Sequence, residues 1–355
     1  EHSQSGSNQR AGRAGRTRPG VCFRLYSEAN FKARPLYTEP EIKRTGLASV
    51  VLQMEALGVA DIPNFDFLDP PEQAAFREAY GILTALGAVE KGKPGLTDMG
   101  RAMADLPLDP TIGRMLLEAE KYGCTEDVTT VAAFFSLPKG VFTRPKGKET
   151  EADYAHRRFK DHDSDALTFL SVWRAYEESQ FSRGWCFENF LHSRALWEAR
   201  NIRSQLLEIL SRRNGGLSRD DGKLDSVLRS VAAGLAYNLF GRDGMRRSFA
   251  YTPTVRELHM EAFIHPGSAV FGPMAPSFLV AHELVRTTKL FMRGCSRVDP
   301  EWLPEIAPTR FSFGKEELVS YTSGEETATA RRAVVSRTTG ETIAWKKELV
   351  SLATA

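Results

Sequence analysis

Hydrophobic residues follow a helical spacing through the first part of the chain. Residues 41–58 place four of them on one helical face: Leu47, Val50, Val51 and Met54. A second helix is expected over about 71–86, then a small hairpin, then another helix from near Asp98. Helices followed by a short hairpin are typical of a winged-helix domain, which we place at residues 38–105.

The region from Asp109 to Arg213 keeps the helical period and is predicted to be a helical bundle. Two apolar stripes mark its inward faces: Ala166, Phe169, Leu170 and Trp173 in one, and Ala195, Ala199, Ile202, Leu206 and Ile209 in the other. The proline-bounded segment 138–145 breaks the run. We place a domain of helices at residues 106–213 and expect most of these apolar residues to form its core.

Towards the C-terminus the period shortens to about two. Four hydrophobic residues alternate with their neighbours: Leu258, Met260, Ala262 and Ile264. One or two more strands are expected within residues 278–293, and short strands between glycine and proline turns predict a small barrel. Asn214-Gly215-Gly216 marks a boundary, so the barrel domain is placed at residues 214–308.

The two ends of the chain have simpler predictions. Residues 3–15 are small, polar and glycine-rich, which predicts a loop. The hydrophobic run 21–26 follows Pro19-Gly20 and predicts a buried strand. The tail, 309–355, is predicted to form a β-hairpin that turns near Thr339-Gly340.

The composition is that of a folded protein with several domains. The chain has 355 residues, is 42% hydrophobic and 26% charged, and has a formal net charge of +2. The four cysteines show no zinc-ligand spacing, so we expect free thiols in a reducing compartment and no metal site. No apolar run approaches the ~18 residues of a membrane span, and no signal peptide is visible. These features predict a cytoplasmic protein, or a nuclear one in a eukaryote, that contacts no membrane.

One basic segment carries the candidate chemistry. The sequence QRAGRAGR, residues 9–16, places arginines at every third position between small residues that let the backbone lie close to a neighbouring surface. Arginine supplies a permanent charge and a planar donor fork that matches phosphate oxygens. Evenly spaced arginines alone would rather suit a solvated basic loop or an arginine–glycine RNA-binding tract.

The whole segment, with glutamine first and the run GVCFRLY after it, resembles motif VI of the DEAH-box RNA helicases. The resemblance continues in order from about Ser3 to Pro308, although Gly6 departs from the serine usual in the motif's lead-in. Its further segments are PEIKRT (40–45), LDPP (68–71), LPLDP (106–110), RAL (194–196), NIRSQL (201–206), IHPGS (264–268), HELV (282–285), TTK (287–289) and PEWL (300–303). It implies a multidomain, mainly α protein with a β-barrel: the end of a RecA-like α/β domain at 1–37, a winged helix, a helical ratchet domain and an oligonucleotide-binding (OB) fold.

The resemblance also implies roles at a nucleotide site. In this family two RecA-like domains enclose ATP and Mg²⁺, and motif VI faces the phosphates. Arg13 and Arg16 would contact the γ-phosphate and Gln9 would position the attacking water, while Arg10 would have a structural or coupling role there. Arginine fingers of this kind contribute about 10³–10⁵ in rate.

The rest of a nucleotide motor is missing from the sequence. Residues 87–93 have the glycine and lysine spacing of a phosphate loop, but Pro94 stands where a magnesium-binding hydroxyl is needed, and the segment lies at a predicted turn. No DEAH sequence occurs. Because the chain opens on Glu1 inside a motif, we expect about 300 preceding residues. These would bind most of the ATP and Mg²⁺, and the chain alone is expected to hydrolyse no ATP.

Single-stranded RNA is the expected partner, running between the motor and the C-terminal domains. The candidates to contact it are Arg194, Arg203, His265, Ser268, Thr288 and Lys289. For each arginine a surface salt bridge is an equal alternative, and His265 is more often a packed turn histidine. His282, beside Glu283, is expected to make a strand-face hydrogen bond rather than to act in catalysis. We further expect a monomer that a protein partner activates.

Two functions therefore compete. The first is part of an ATP-dependent helicase that translocates along single-stranded RNA and unwinds it. The alternative is a non-enzymatic RNA-binding module built from a winged helix and an OB fold. The glutamine and three arginines favour the first, because a pure binding module needs no finger segment. A DNA-binding winged-helix regulator would leave both that segment and the OB region unexplained.

Overall fold

Helices dominate the first two thirds of the chain and strands the last third. The computed structural model describes residues 2–44, 46–213, 223–242, 249–255, 260–321 and 327–351. The α-helices are α1 (Gln4–Gly12), α2 (Glu28–Ala33), α3 (Glu41–Arg44), α4 (Ala48–Ala56), α5 (Gln73–Ala85), α6 (Asp98–Ala104), α7 (Pro110–Tyr122), α8 (Thr125–Phe135), α9 (Glu149–Arg157), α10 (Asp165–Glu178), α11 (Arg183–Glu188), α12 (Ser193–Ser211), α13 (Leu224–Gly234) and α14 (Leu303–Ile306). The strands are β1 (Leu239–Gly241), β2 (Thr252–Pro253), β3 (Phe263–Ile264), β4 (Phe278–Arg286), β5 (Leu290–Arg297), β6 (Phe311–Tyr321), β7 (Thr327–Ser336) and β8 (Thr342–Ser351).

The predicted winged-helix region has its own core. Its helices α4, α5 and α6 bury a cluster that includes Val51, Phe76 and Leu83. The predicted hairpin is present as a bridge between Val89 and Leu96. The single helix expected over residues 41–58 is instead two helices, α3 and α4.

The predicted bundle is formed by α7 to α12, with α13 packed against α7. Helices α7 and α13 approach so closely that a Cβ atom on Gly234 would lie 2.1 Å from Cγ of Met115. The predicted stripes face inward: most of their members are buried, and Phe169, Ile202 and Ile209 are half-buried. The helices and the sheet that follows confirm the mainly α, multidomain fold with a β-barrel element.

The predicted barrel region holds a sheet in the order β2-β1-β4-β5-β3, curled into a half-barrel. Its pairs are antiparallel except β3 with β5, and its inner face buries Phe240, Leu279 and Met292. Ala262 and Ile264 are buried, as the alternation predicts. Leu258, from the same pattern, and the predicted boundary at residues 214–216 lie outside the described residues. The residue limits of the domains stay predictions.

The tail forms a three-stranded antiparallel sheet in the order β6-β7-β8. Strands β7 and β8 form the predicted hairpin around Thr339-Gly340, and β6 was not predicted. The period of two along β6 is broken at Gly314, where the pairing with β7 shifts between Phe313 and Glu316. Phe311 and Val334 attach the sheet to the helical core.

The N-terminal predictions were wrong at two points. The expected loop over 3–15 is mostly helix α1, because Oγ of Ser3 accepts a hydrogen bond from the backbone N–H of Gly6 and caps the first turn. The expected buried strand over 21–26 is neither strand nor buried: Val21, Phe23 and Leu25 are 76%, 85% and 97% exposed. A hydrophobic run becomes a strand only beside another strand, and none in the described part of the chain pairs with it.

A buried carboxylate joins the bundle to the barrel. Asp165, the first residue of α10, accepts hydrogen bonds from the backbone N–H groups of Ala269 (2.6 Å) and Cys295 (2.7 Å) and from Oγ of Ser268 (2.7 Å). Burial raises the pKa of Asp165, and the three hydrogen bonds oppose that rise. Beside it, the hydroxyls of Ser164 and Ser296 lie 2.6 Å apart. The start of α10, the turn at residues 265–269 and strand β5 are thus held together.

We predict that Asp165→Ala lowers the free energy of unfolding by about 3 kcal/mol or more, because three buried donors lose their acceptor at about 1–3 kcal/mol each. Urea denaturation measures the change. Glu177→Ala, exposed on the same helix, is the matched control and should stay within about 0.5 kcal/mol of the original protein. Equal stabilities for the two variants would contradict this role of Asp165.

Candidate functional site

The predicted finger residues share one exposed surface. Helix α1 continues through a 3-10 turn, Arg13–Gly15, and Arg16 keeps right-handed helical angles. Gln9, Arg13 and Arg16 stand at positions i, i+4 and i+7, which lie on one helical face, and Arg10 lies next to Arg13 at i−3. All four side chains are exposed, and within the described residues they form no hydrogen bond or ion pair. We call these four residues the arginine face.

The orientation of α1 is set by residues 34–38. The backbone N–H groups of Gln4 and Ser5 donate to the carbonyl oxygens of Pro35 and Leu36, each at 2.9 Å. Oγ of Ser3 lies 2.9 Å from the hydroxyl of Thr38. Every one of these contacts is at the N-terminal end of the helix, so the arginine face at the other end stays free.

A close backbone approach shapes the chain after the arginine face. A Cβ atom added to Gly20 would lie 2.0 Å from the carbonyl oxygen of Ala14, so only glycine fits there without a shift. By contrast, a Cβ atom on Gly12 or Gly15 would meet nothing within 4 Å. Pro19-Gly20 therefore folds the chain back against the 3-10 turn that carries Arg13.

A second candidate site is a groove of about 810 Å³ between the bundle and the barrel. It is lined by the segment 140–144, by α9, by the start of α10, by the turn 265–269 and by β5. Its cationic residues are Arg144, Arg157, Lys160 and Arg293. We call it the basic groove.

The four cationic side chains of the basic groove differ in whether an acidic side chain pairs with them. Arg144 is paired with Asp153 at 2.8 Å, and Arg293 lies 3.9 Å from a carboxylate oxygen of Glu283. Arg157 and Lys160 are exposed and form no ion pair within the described residues. These last two cations are therefore available to an anionic ligand.

The environment of the basic groove favours the neutral form of its two histidines. Burial and the nearby Arg293 lower the pKa of His265 from its ordinary value, and burial lowers the pKa of His156. Nδ1 of His265 accepts a hydrogen bond from the N–H of Gly267 (3.0 Å), and Nε2 of His156 lies 3.1 Å from the carbonyl oxygen of Phe190. The positive charge of the groove therefore comes from its arginines and lysine.

The predicted RNA contacts fall into two groups. Arg194 on α12 and Thr288 and Lys289 in the β4–β5 turn are exposed, and His265 lies in the basic groove. Ser268 is buried, and its hydroxyl hydrogen is donated to the carboxylate of Asp165.

Arg203 also has a structural position. Its guanidinium donates to the hydroxyl of Thr130 (2.9 Å) and pairs with Glu126 (3.4 Å), which ties α12 to α8. This is the salt-bridge alternative that the sequence left open. Arg203 and Ser268 are therefore not part of the RNA interface that we propose.

His282 has the structural role that its position on a strand predicted. Its ring stacks on Phe135 with the ring centres 4.2 Å apart, and Nε2 lies 3.0 Å from the carbonyl oxygen of Phe135. Burial lowers its pKa. Within the described residues, no three His, Cys, Asp or Glu side chains converge as they would around a metal ion. No helix among those residues is both long and apolar enough to cross a membrane.

Sequence reasoning missed the cations of the basic groove. Residues 139–160 hold seven lysines or arginines against three aspartates or glutamates, and this local excess was the available signal. The excess alone does not show which of these cations face one ligand. That depends on how the barrel turn packs on α10.

Comparison with known proteins agrees with a helical region followed by an OB-fold region. Residues 109–169 match the helicase associated domain (HA2), ratchet-like, and residues 227–309 match an oligonucleotide/oligosaccharide-binding (OB) fold. The chain is 35% identical over 321 residues to the pre-mRNA-splicing factor ATP-dependent RNA helicase prp22 of Schizosaccharomyces pombe. The match covers 90% of the chain and 27% of that relative, so the chain spans about a quarter of the relative's length.

We predict that Gly20→Ala loosens the arginine face, because the new methyl group collides with the carbonyl oxygen of Ala14. Amide hydrogen exchange in residues 9–16 should become faster. Gly15→Ala is the matched control, since its Cβ atom meets open space, and exchange there should be unchanged or slower. Equal exchange in the two variants would show that the close approach does not support the turn.

Proposed function

We propose, from the premise that the chain belongs to the DEAH-box RNA helicase family, that it acts within a longer ATP-dependent RNA helicase. In that enzyme it supplies arginine fingers to the nucleotide site and a surface for single-stranded RNA. The observation that carries the proposal is the arginine face, where Gln9, Arg13 and Arg16 lie exposed on one side of one helix. The activity belongs to the longer protein, because the chain spans 27% of its relative.

The arginine face suits the outer oxygens of a triphosphate. Bound ATP with Mg²⁺ supplies the phosphoryl group, and the guanidiniums of Arg13 and Arg16 stabilise the charge that builds on it. Each guanidinium can donate to two oxygens at once. Gln9, on the same face, offers an amide that can orient a water molecule for attack. Because these side chains have no partner within the described residues, they meet a ligand without first breaking a contact.

The basic groove suits the backbone of single-stranded RNA. Arg157 and Lys160 offer unpaired charge, and such binding depends mainly on phosphate contacts and counterion release. The Asp165 network holds the two walls of the groove together. Arg194, Thr288 and Lys289 are exposed and are further candidates to contact the strand. An activating protein and a monomeric state remain predictions.

We predict that Arg13→Lys and Arg16→Lys each reduce ATP turnover of the longer protein by at least a hundred-fold. Lysine keeps the charge but loses the planar fork, and removal of an arginine finger costs about 10³–10⁵ in rate. RNA affinity should stay within a few-fold. Steady-state ATPase assays with and without RNA, beside RNA titrations at one salt concentration, measure both effects.

Arg18→Lys is the matched control, because Arg18 is exposed in the same segment but lies outside the arginine face. It should retain turnover. If Arg13→Lys and Arg16→Lys keep normal turnover and lose RNA affinity, the arginine face is an RNA-binding tract. The non-enzymatic RNA-binding module would then be the better description of this chain.

We predict that Arg157→Ala and Lys160→Ala each weaken binding of single-stranded RNA. Each should also reduce the slope of log affinity against log salt by about 0.7, the value for one phosphate contact on a single strand. Fluorescence anisotropy over a series of salt concentrations measures the slope. Lys347→Ala, an exposed lysine on β8, is the control and should leave the slope unchanged; an unchanged slope in all three variants would refute the assignment of the groove.

A further inference from the structure

One large aromatic side chain stands exposed on the longest helix of the bundle. Trp197, on α12, is 59% exposed. Every residue of α12 is described, and no other large hydrophobic side chain on it is exposed. The side chains one helical turn away are Ser193 and Arg194 at i−4 and i−3, and Arg200 and Asn201 at i+3 and i+4. Trp197 is thus the one exposed aromatic ring of α12, on a polar and cationic face of that helix.

The surroundings of Trp197 favour a nucleic-acid base over a protein surface. A tryptophan that anchors a protein partner usually lies within a patch of other apolar side chains that exclude water. Such a patch is absent along α12. A base stacks on a single aromatic ring, and the phosphates beside it are attracted to neighbouring cations. Single-stranded RNA offers both features.

Cations line a small cavity at Arg194, which precedes Trp197 by three residues on α12. A cavity of about 340 Å³ is lined by Lys139, His192 and Arg194, with Glu198 as the acid among its lining residues. Lys139 and Arg194 are exposed and form no ion pair within the described residues. These two positive charges exceed the single negative charge of Glu198, so the cavity favours an anion.

The same surface continues into the basic groove. Pro138 and Lys139 line the small cavity, and the next residues of the chain, 140–142, line the groove. The N–H of His192 donates to the carbonyl oxygen of Val141 (2.7 Å), which holds the start of α12 against this segment. A single strand that occupies the groove can therefore continue past residues 138–142 towards α12.

We propose that Trp197 is a stacking platform for one base of single-stranded RNA, with Arg194 and Lys139 contacting the adjoining phosphates. The inference rests on the proposed RNA-binding function and adds a base-contacting residue to a surface that otherwise contacts the backbone. Stacking on one ring is tolerant of sequence but favours the larger purine bases. The site should therefore prefer oligoadenylate to oligouridylate.

The test uses the 355-residue chain and labelled RNA of about 12 nucleotides, long enough to fill a site of this class. Trp197→Ala should weaken binding of oligoadenylate by about ten-fold or more, the expected effect of losing one stacked base. Its effect on an abasic ribose-phosphate strand of the same length should stay within about two-fold, because that strand has no base to stack. Trp197→Phe should retain most of the affinity. Phe187→Ala, which removes an aromatic ring that is 85% exposed on α11, is the control and should leave binding unchanged.

The outcomes separate this inference from the function on which it rests. If the original chain binds no single-stranded RNA at low salt, the RNA-binding function itself fails. If it binds RNA and Trp197→Ala binds oligoadenylate equally well, the stacking role is wrong while RNA binding stands, and Trp197 serves another partner. Equal losses on oligoadenylate and on the abasic strand would also overturn the stacking role.

Discussion

The buried carboxylate of Asp165 links the barrel to the bundle. Removing a carboxylate from water is costly unless hydrogen bonds replace its hydration. Three donors do so here, and each comes from the barrel region: Ser268, Ala269 and Cys295. The carboxylate also lies at the N-terminus of α10, where the helix dipole favours negative charge. One side chain thereby fixes the position of a helix, a turn and a strand, and the basic groove lies between them.

The same type of side chain has opposite roles at two positions of α12. Arg203 lies on the side of the helix that faces α8, and its guanidinium is taken up by Thr130 and Glu126. Arg194 lies nine positions earlier and is exposed. A side chain such as Arg203 ties two helices of the bundle together, and its guanidinium is already bound within the protein. Side chains like Arg194, Arg157 and Lys160 are exposed, and cations of this kind can displace the counterions that are condensed on a nucleic-acid phosphate.

The sequence predicted the elements whose pattern is local. The helices around Phe76 and Trp173 and the bridge between Val89 and Leu96 follow from hydrophobic spacing. The predictions failed where a distant contact or an unrecognised helix cap decides the structure. Val21 and Phe23 would need a neighbouring strand to become one, and Ser3 makes its segment helical although small residues suggested a loop. The basic groove could not be predicted from spacing, because residues near 157 and 293 are far apart in the sequence and come together through long-range contacts such as those of Asp165.

The direction of helix α1 means that phosphate binding at the arginine face, as proposed, would have to come from side chains. Many phosphate sites use the N-terminus of a helix, where backbone N–H groups and the positive end of the dipole contribute. The N-terminus of α1 is capped by Ser3 and held by residues 34–38 instead. Arg10, Arg13 and Arg16 follow at its C-terminal end, where the dipole repels anions. Three guanidiniums must therefore outweigh the backbone, and their loss cannot be compensated by main-chain donors. A phosphate at this end of the helix would therefore depend on the side chains of the arginine face.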